Sequence, residues 1–74
     1  MRVIEHYREW TLDIISVADS GMFTANAIIT RESTDSDSGF LQYTFKNLGV
    51  SDMKELAIRW AGEWLCVWID ENHR

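Results

Sequence analysis

The chain has 74 residues, one cysteine, and 12 acidic against 7 basic residues, for a formal net charge of -5. One cysteine rules out an internal disulfide, and the length allows one domain at most. The acidic balance, with cations scattered from Arg2 to Arg74, argues against nucleic acid and anionic lipid as partners. A chain this short buries only about 60% of its unfolded surface. Disulfides or metals often staple such folds, but His6, His73 and Cys66 make no metal-ligand spacing. Aromatic packing and self-association are left. Hydrophobic residues at 46% and aromatics at 12% suffice for a globular core.

Residues 6–17, "HYREWTLDIISV", predict a first strand. Trp10, Leu12 and Ile14 alternate with Thr11, Asp13 and Ile15, the period of a half-buried strand. Residues 22–31, "MFTANAIITR", predict a second, with Phe23, Ala25, Ala27 and Ile29 on one face. Between them "ADSG" reads as a four-residue hairpin loop closed by Gly21. That loop sets Val17 opposite Met22, Ile14 opposite Ala25, Leu12 opposite Ala27 and Trp10 opposite Ile29. The polar run "ESTDSDS", 32–38, reads as a solvated loop. Its "TDSDSGF" fails as a calcium loop, because Lys46 falls where the bidentate glutamate belongs and Phe40 where the glycine belongs. Residues 39–47, "GFLQYTFKN", predict a third strand on the alternation of Leu41, Tyr43 and Phe45.

Gly49 is expected to break that strand. Ser51 or Asp52 then caps a helix, with Asp52 and Glu55 as a capping-box pair. No proline interrupts the chain from there, so the helix is expected over 52–72. At about 100° per residue, Met53, Leu56, Ala57, Trp60, Ala61, Trp64, Val67 and Trp68 share one face. Of these Met53, Leu56, Ala57, Trp60, Trp64 and Val67 are expected in the core with Trp10, Leu12, Ile14, Phe23, Ala25, Ala27, Ile29, Leu41, Tyr43 and Phe45, while Trp68 lies nearer the edge.

The apolar arc is wider than one sheet face requires. Ile58, Gly62, Leu65 and Ile69 lie beyond its edge, and a helical glycine costs about 1 kcal/mol against alanine. Either the sheet curls to cover them, or a few aliphatics are simply exposed, or they form a self-association surface or a ligand-binding edge. They are the candidate interaction residues.

Nothing else carries chemistry. The four glycines are too dispersed for a phosphate loop. His6 and His73 sit in no nucleophile or carboxylate constellation and read as surface or strand-end residues. Glu63 and Asp70 flank Cys66 at helical spacing and disfavour its thiolate, so it reads as a half-buried structural thiol. The outer sheet face is polar, with Ile15, Ile28 and Phe40 among threonines. The longest apolar run, Trp64 to Ile69, is far short of a membrane span. With a free cysteine and no export signal, a cytoplasmic location is expected.

The "YREWTLDI" strand, the acidic loop and the helix "SDMKELAIRWAGEWLCVWIDE" resemble small uncharacterised bacterial β-β-β-α proteins. These share a Tyr-x-x-Trp opening strand and an Ala-rich helix ending near Trp-Ile-Asp. The resemblance implies a fold and no activity. The element order is also similar to the last part of double-stranded-RNA-binding domains and to antitoxins of the HicB type. The former carry a lysine-rich helix start where this chain has "SDMKE". The latter carry a Pro-Gly-Cys turn not found here.

The expectation is an α+β fold: one domain over 1–74, a three-stranded antiparallel β-meander with one long C-terminal helix on one face. The functional expectation is a small non-enzymatic protein-interaction or regulatory domain with no cofactor, partnered by a second copy or another protein. A nucleic-acid module, by analogy with the RNA-binding domains, is the alternative that the net charge disfavours. A small-molecule binder or enzyme working on the outer sheet face is a third reading.

Overall fold

The structure is a computed structural model and describes residues 1–33 and 39–73. Four antiparallel strands precede one helix: β1 (Arg2–Tyr7), β2 (Trp10–Asp19), β3 (Met22–Glu32), β4 (Phe40–Ser51) and α1 (Lys54–Asn72). The sheet is a meander in the order β1-β2-β3-β4, and α1 packs across β2, β3 and β4. The α+β class and the closing helix agree with the sequence reading. The strand count does not. Most of the expected acidic loop, 34–38, lies outside the described residues.

The strand the sequence reading missed is β1. It pairs with β2 from Arg2↔Ile15 to Tyr7↔Trp10, joined by the two-residue turn Arg8-Glu9. Its alternation is poor, because Glu5 shares the inner side with Val3 and Tyr7 while Ile4 points outward, 54% exposed. The turn contains no glycine, and Arg8 itself takes φ 55°, an uncommon conformation for such a residue. What holds it is Asp70 in the last turn of α1. That carboxylate accepts hydrogen bonds from the Tyr7 hydroxyl at 2.8 and 3.0 Å and pairs with the Arg8 guanidinium at 3.0 Å.

The β2–β3 hairpin is tighter than expected. Asp19 pairs with Met22, so the loop is Ser20-Gly21, with φ 53° and 81°. Positive φ at both central residues is the type I′ geometry that matches strand twist. The register therefore slides by two residues: Ile14 faces Ala27 and Leu12 faces Ile29. A slip of two leaves each side chain on its face, so the inner face was correct although the pairs were not, and Phe23, expected in the core, is only half-buried. Trp10, Leu12, Ile14, Ala25, Ala27 and Ile29 are all buried.

β4 runs to Ser51, past Gly49, which does not end it. Between Phe45 and Ser51 it takes six residue steps against four in β3 (Ala27 to Phe23). The two extra residues form bulges, with Asn47 at φ 59° and Gly49 at φ 69°. Thr24 donates to the Gly49 carbonyl at 2.7 Å, and the Asn47 amide donates to the Asn26 side chain at 3.1 Å. The chain then reverses. Met53 occupies the N-cap position with no side-chain cap bond. Ser51 is buried and accepts from the Met53 amide at 3.1 Å. The expected Asp52–Glu55 capping box does not form.

The largest correction concerns the face of α1. The helix buries Ala57, Ile58, Ala61, Gly62, Leu65 and Ile69, a face turned by roughly 120° from the expected one. Trp60 and Trp64, placed in the core by the sequence reading, are 44% and 45% exposed, and Met53 and Val67 are more exposed still. The missing strand accounts for part of this: β1 flanks β2, and its Val3 and Tyr7 pack against the cluster that holds Ile58, Leu65 and Ile69.

Candidate interaction surface

The four residues expected to form a self-association surface are brought together, but inside the chain. Leu65 and Ile69 are fully buried, Ile58 is 4% exposed, and Gly62 is buried with them. That expectation is overturned by intrachain packing: the sheet does cover the edge. Gly62 is accounted for as well. A Cβ built on it would lie 3.3 Å from a Glu5 carboxylate oxygen and 3.7 Å from Ile14 Cδ1. The close approach is made by β1 and β2 of the same chain.

The surface left open lies on the opposite flank. β4 is a sheet edge, paired with β3 alone among the described residues. The two edges differ. β1 has six residues and carries Arg2, Glu5 and His6, the short charged form that blocks strand addition. β4 has twelve residues and a single charge, Lys46. Its stretch Phe40–Phe45 is regular, ahead of the bulges.

Beside this edge stand the tryptophans. Trp64 meets the Phe45 ring edge-on at 5.4 Å, and Trp68 meets Phe45 at 5.0 Å and Tyr43 at 5.1 Å. Trp60 sits on Gly49, where a Cβ would lie 3.5 Å from its own. The helix thus runs antiparallel to β4. Four helical residues rise about 6 Å, and two strand residues advance about 6.6 Å. Tryptophan every four residues therefore keeps step with aromatic residues every two on β4. That commensurate spacing was the signal available in the sequence. Each indole covers β4 with one side and leaves the other to solvent.

Together Met53, Trp60, Trp64 and Val67 make an apolar flank, each between 44% and 55% exposed. The patch is on the order of 400 Å², the size of the largest apolar patch on a typical monomer and often functional. Exposed Glu71, seven residues on from Trp64 on the same face, closes its C-terminal end.

The remaining candidates form no comparable site. His73 is half-buried rather than a free surface residue, its ring 5.0–5.4 Å from those of Trp10, Tyr43 and Trp68. His6 is exposed and lies 3.4 Å from the Thr11 hydroxyl. Cys66 is half-buried, and burial pushes its thiol pKa up, with Glu5, Asp70 and Glu63 adding to the rise. An open depression of about 710 Å³ lies on the outer sheet face between Thr11, Thr30, Glu32, Phe40 and Gln42. Among the described residues no group of three or more His, Cys, Asp or Glu is placed to hold a metal. No described helix is long and apolar enough to cross a membrane. Comparison with protein-family models, with curated proteins and with solved structures finds no match.

Proposed function

We propose that this chain is a non-enzymatic protein-interaction domain that docks a partner along the edge of β4 and the tryptophan flank of α1. The supporting observation is their adjacency: a nearly uncharged edge strand, regular as far as Phe45, lies beneath half-exposed indoles. An edge strand supplies backbone hydrogen bonds to an incoming strand. Tryptophans beside it supply the apolar anchors in which binding energy concentrates. The outer sheet face offers isolated aliphatics instead: Ile15 and Ile28 are 43% and 41% exposed, set among polar neighbours.

The test is site-specific photo-crosslinking in the native cell. A photoreactive phenylalanine analogue replaces Trp64 in one variant and Ile28 in another. Specific protein adducts from position 64, weak or absent at 28, are expected. Adducts from 28 with none from 64 overturn the assignment of this surface.

A further inference from the structure

We infer that the occupant of this surface is a second copy of the chain, added antiparallel along β4 to give a continuous eight-stranded sheet. The inference rests on the docking surface proposed above and names its partner. Identical edge strands paired antiparallel are related by a two-fold axis, so the surface is complementary to itself. Phe40–Phe45 supplies the ladder, and β4 contains no carboxylate. The acidic excess of the chain thus does not fall on the strand that would pair.

The geometry above the sheet fits the same arrangement. A two-fold perpendicular to the sheet leaves both helices on one face. α1 spans β2 to β4 and is therefore centred near β3. With strands about 4.8 Å apart, the two helix axes would stand roughly 14 Å apart. Helices in direct contact pack at about 8–10 Å. The gap needs large side chains from both helices, and Trp64, which stands over Phe45 of that ladder, is placed to fill it. A smaller residue there would leave a trough above the new strand pair. The apolar flank alone is about half of the roughly 800 Å² per partner of a standard interface, and the strand edge adds backbone surface to it.

The full chain is examined by sedimentation equilibrium and by amide exchange at rising concentration. Above about 100 µM, where a dimer with a micromolar dissociation constant is largely formed, the expected mass is twice the 8.6 kDa of one chain. Exchange should slow with concentration at Phe40–Phe45 and stay unchanged at Arg2–Tyr7. Trp64→Glu, which sets like charges across the two-fold, should return the monomer mass with native circular dichroism. Wild-type exchange carries the test by itself if that variant does not fold. A monomer at about 100 µM overturns the inference, and so does a dimer protected at β1 or on the outer face. Adducts from position 64 to a different protein, with a monomeric chain, leave the docking surface standing and remove only the second copy.

Discussion

Gly62 on α1 and Glu5 on β1 meet where helix and sheet edge come together: a Cβ on the glycine would lie 3.3 Å from a carboxylate oxygen of the glutamate. That contact is tight, but its far side is the end of a flexible, exposed side chain. The other neighbour, Ile14 Cδ1 at 3.7 Å, is at ordinary contact distance. Gly62→Ala should therefore let Glu5 swing aside and gain about 0.5–1 kcal/mol of helix propensity. Gly62→Leu has no such exit, and overpacking should cost about 1–3 kcal/mol. Urea denaturation of both variants checks the pair. An alanine variant less stable than wild type would mean that β1 cannot yield.

The rotated helix reverses the ranking that residue size suggests. Leu65 is fully buried among β2, β3 and α1 residues, whereas Trp64 is 45% exposed. Leu65→Ala should cost about 2–5 kcal/mol. Trp64→Ala loses the contact with Phe45 but leaves no enclosed cavity, so about 1–2 kcal/mol is expected. Denaturation midpoints in urea decide the order. The larger loss at Trp64 would return the tryptophans to the core.

What was legible in the sequence was whatever one regular period could carry. Trp10, Leu12 and Ile14 alternate cleanly, and so do Ala25, Ala27 and Ile29. Their inward face followed even though the hairpin register moved by two. β1 was hidden because Glu5 occupies an inner position and Arg8 turns the chain without glycine. The wheel of α1 was misread because it is apolar over most of its circumference. On such a helix, bulk does not identify the buried side. Ala57, Ala61 and Gly62 do, because small residues let helix and sheet approach. The expected interaction residues proved to be buried for the same reason: the apolar surface that the sheet leaves open is that of Met53, Trp60, Trp64 and Val67.

The β2–β3 turn offers a local stabilisation. Ser20 takes φ 53° ahead of Gly21, in a turn type that favours Asn-Gly. Its hydroxyl bonds the exposed Asp19 side chain, at 3.2 Å. Asparagine enters this left-handed region at lower cost, so Ser20→Asn should gain about 0.5–1 kcal/mol. Thermal melting should show a Tm higher by a few degrees. An unchanged or lower Tm would count against the two-residue turn and for the longer loop.

The Arg2–Asp13 pair fastens β1 to β2 and makes its contribution depend on pH. Arg2 bonds both Asp13 oxygens, at 2.9 and 2.7 Å. That hydrogen bonding, with the guanidinium charge helping and desolvation opposing, holds the Asp13 carboxyl below its usual 3.8. The unfolded chain then takes up the proton more readily than the folded one. The contribution is present in full above that value and is lost as pH falls through the lower folded pKa. Asp13→Asn should be less stable than wild type at neutral pH, with the gap closing in acid. Salt should narrow it as well, since the pair is exposed. Denaturation curves at several pH values test this, and a gap constant from neutral to acid would show that the substitution acts by another route.

Cys66 should react slowly. Its thiol is raised above the ordinary 9.0 first by burial, then by the negative charges of Glu5, Asp70 and Glu63. The thiolate is the reactive species, so alkylation at mildly alkaline pH should lag well behind that of a free cysteine. In denaturant both causes vanish and the rate should rise to the free value. Because Glu5 reaches Cys66 only when β1 is docked, Glu5→Gln should speed the folded-state reaction without changing the unfolded one. Equal rates for wild type and that variant in the folded state would show that β1 does not lie against this part of α1.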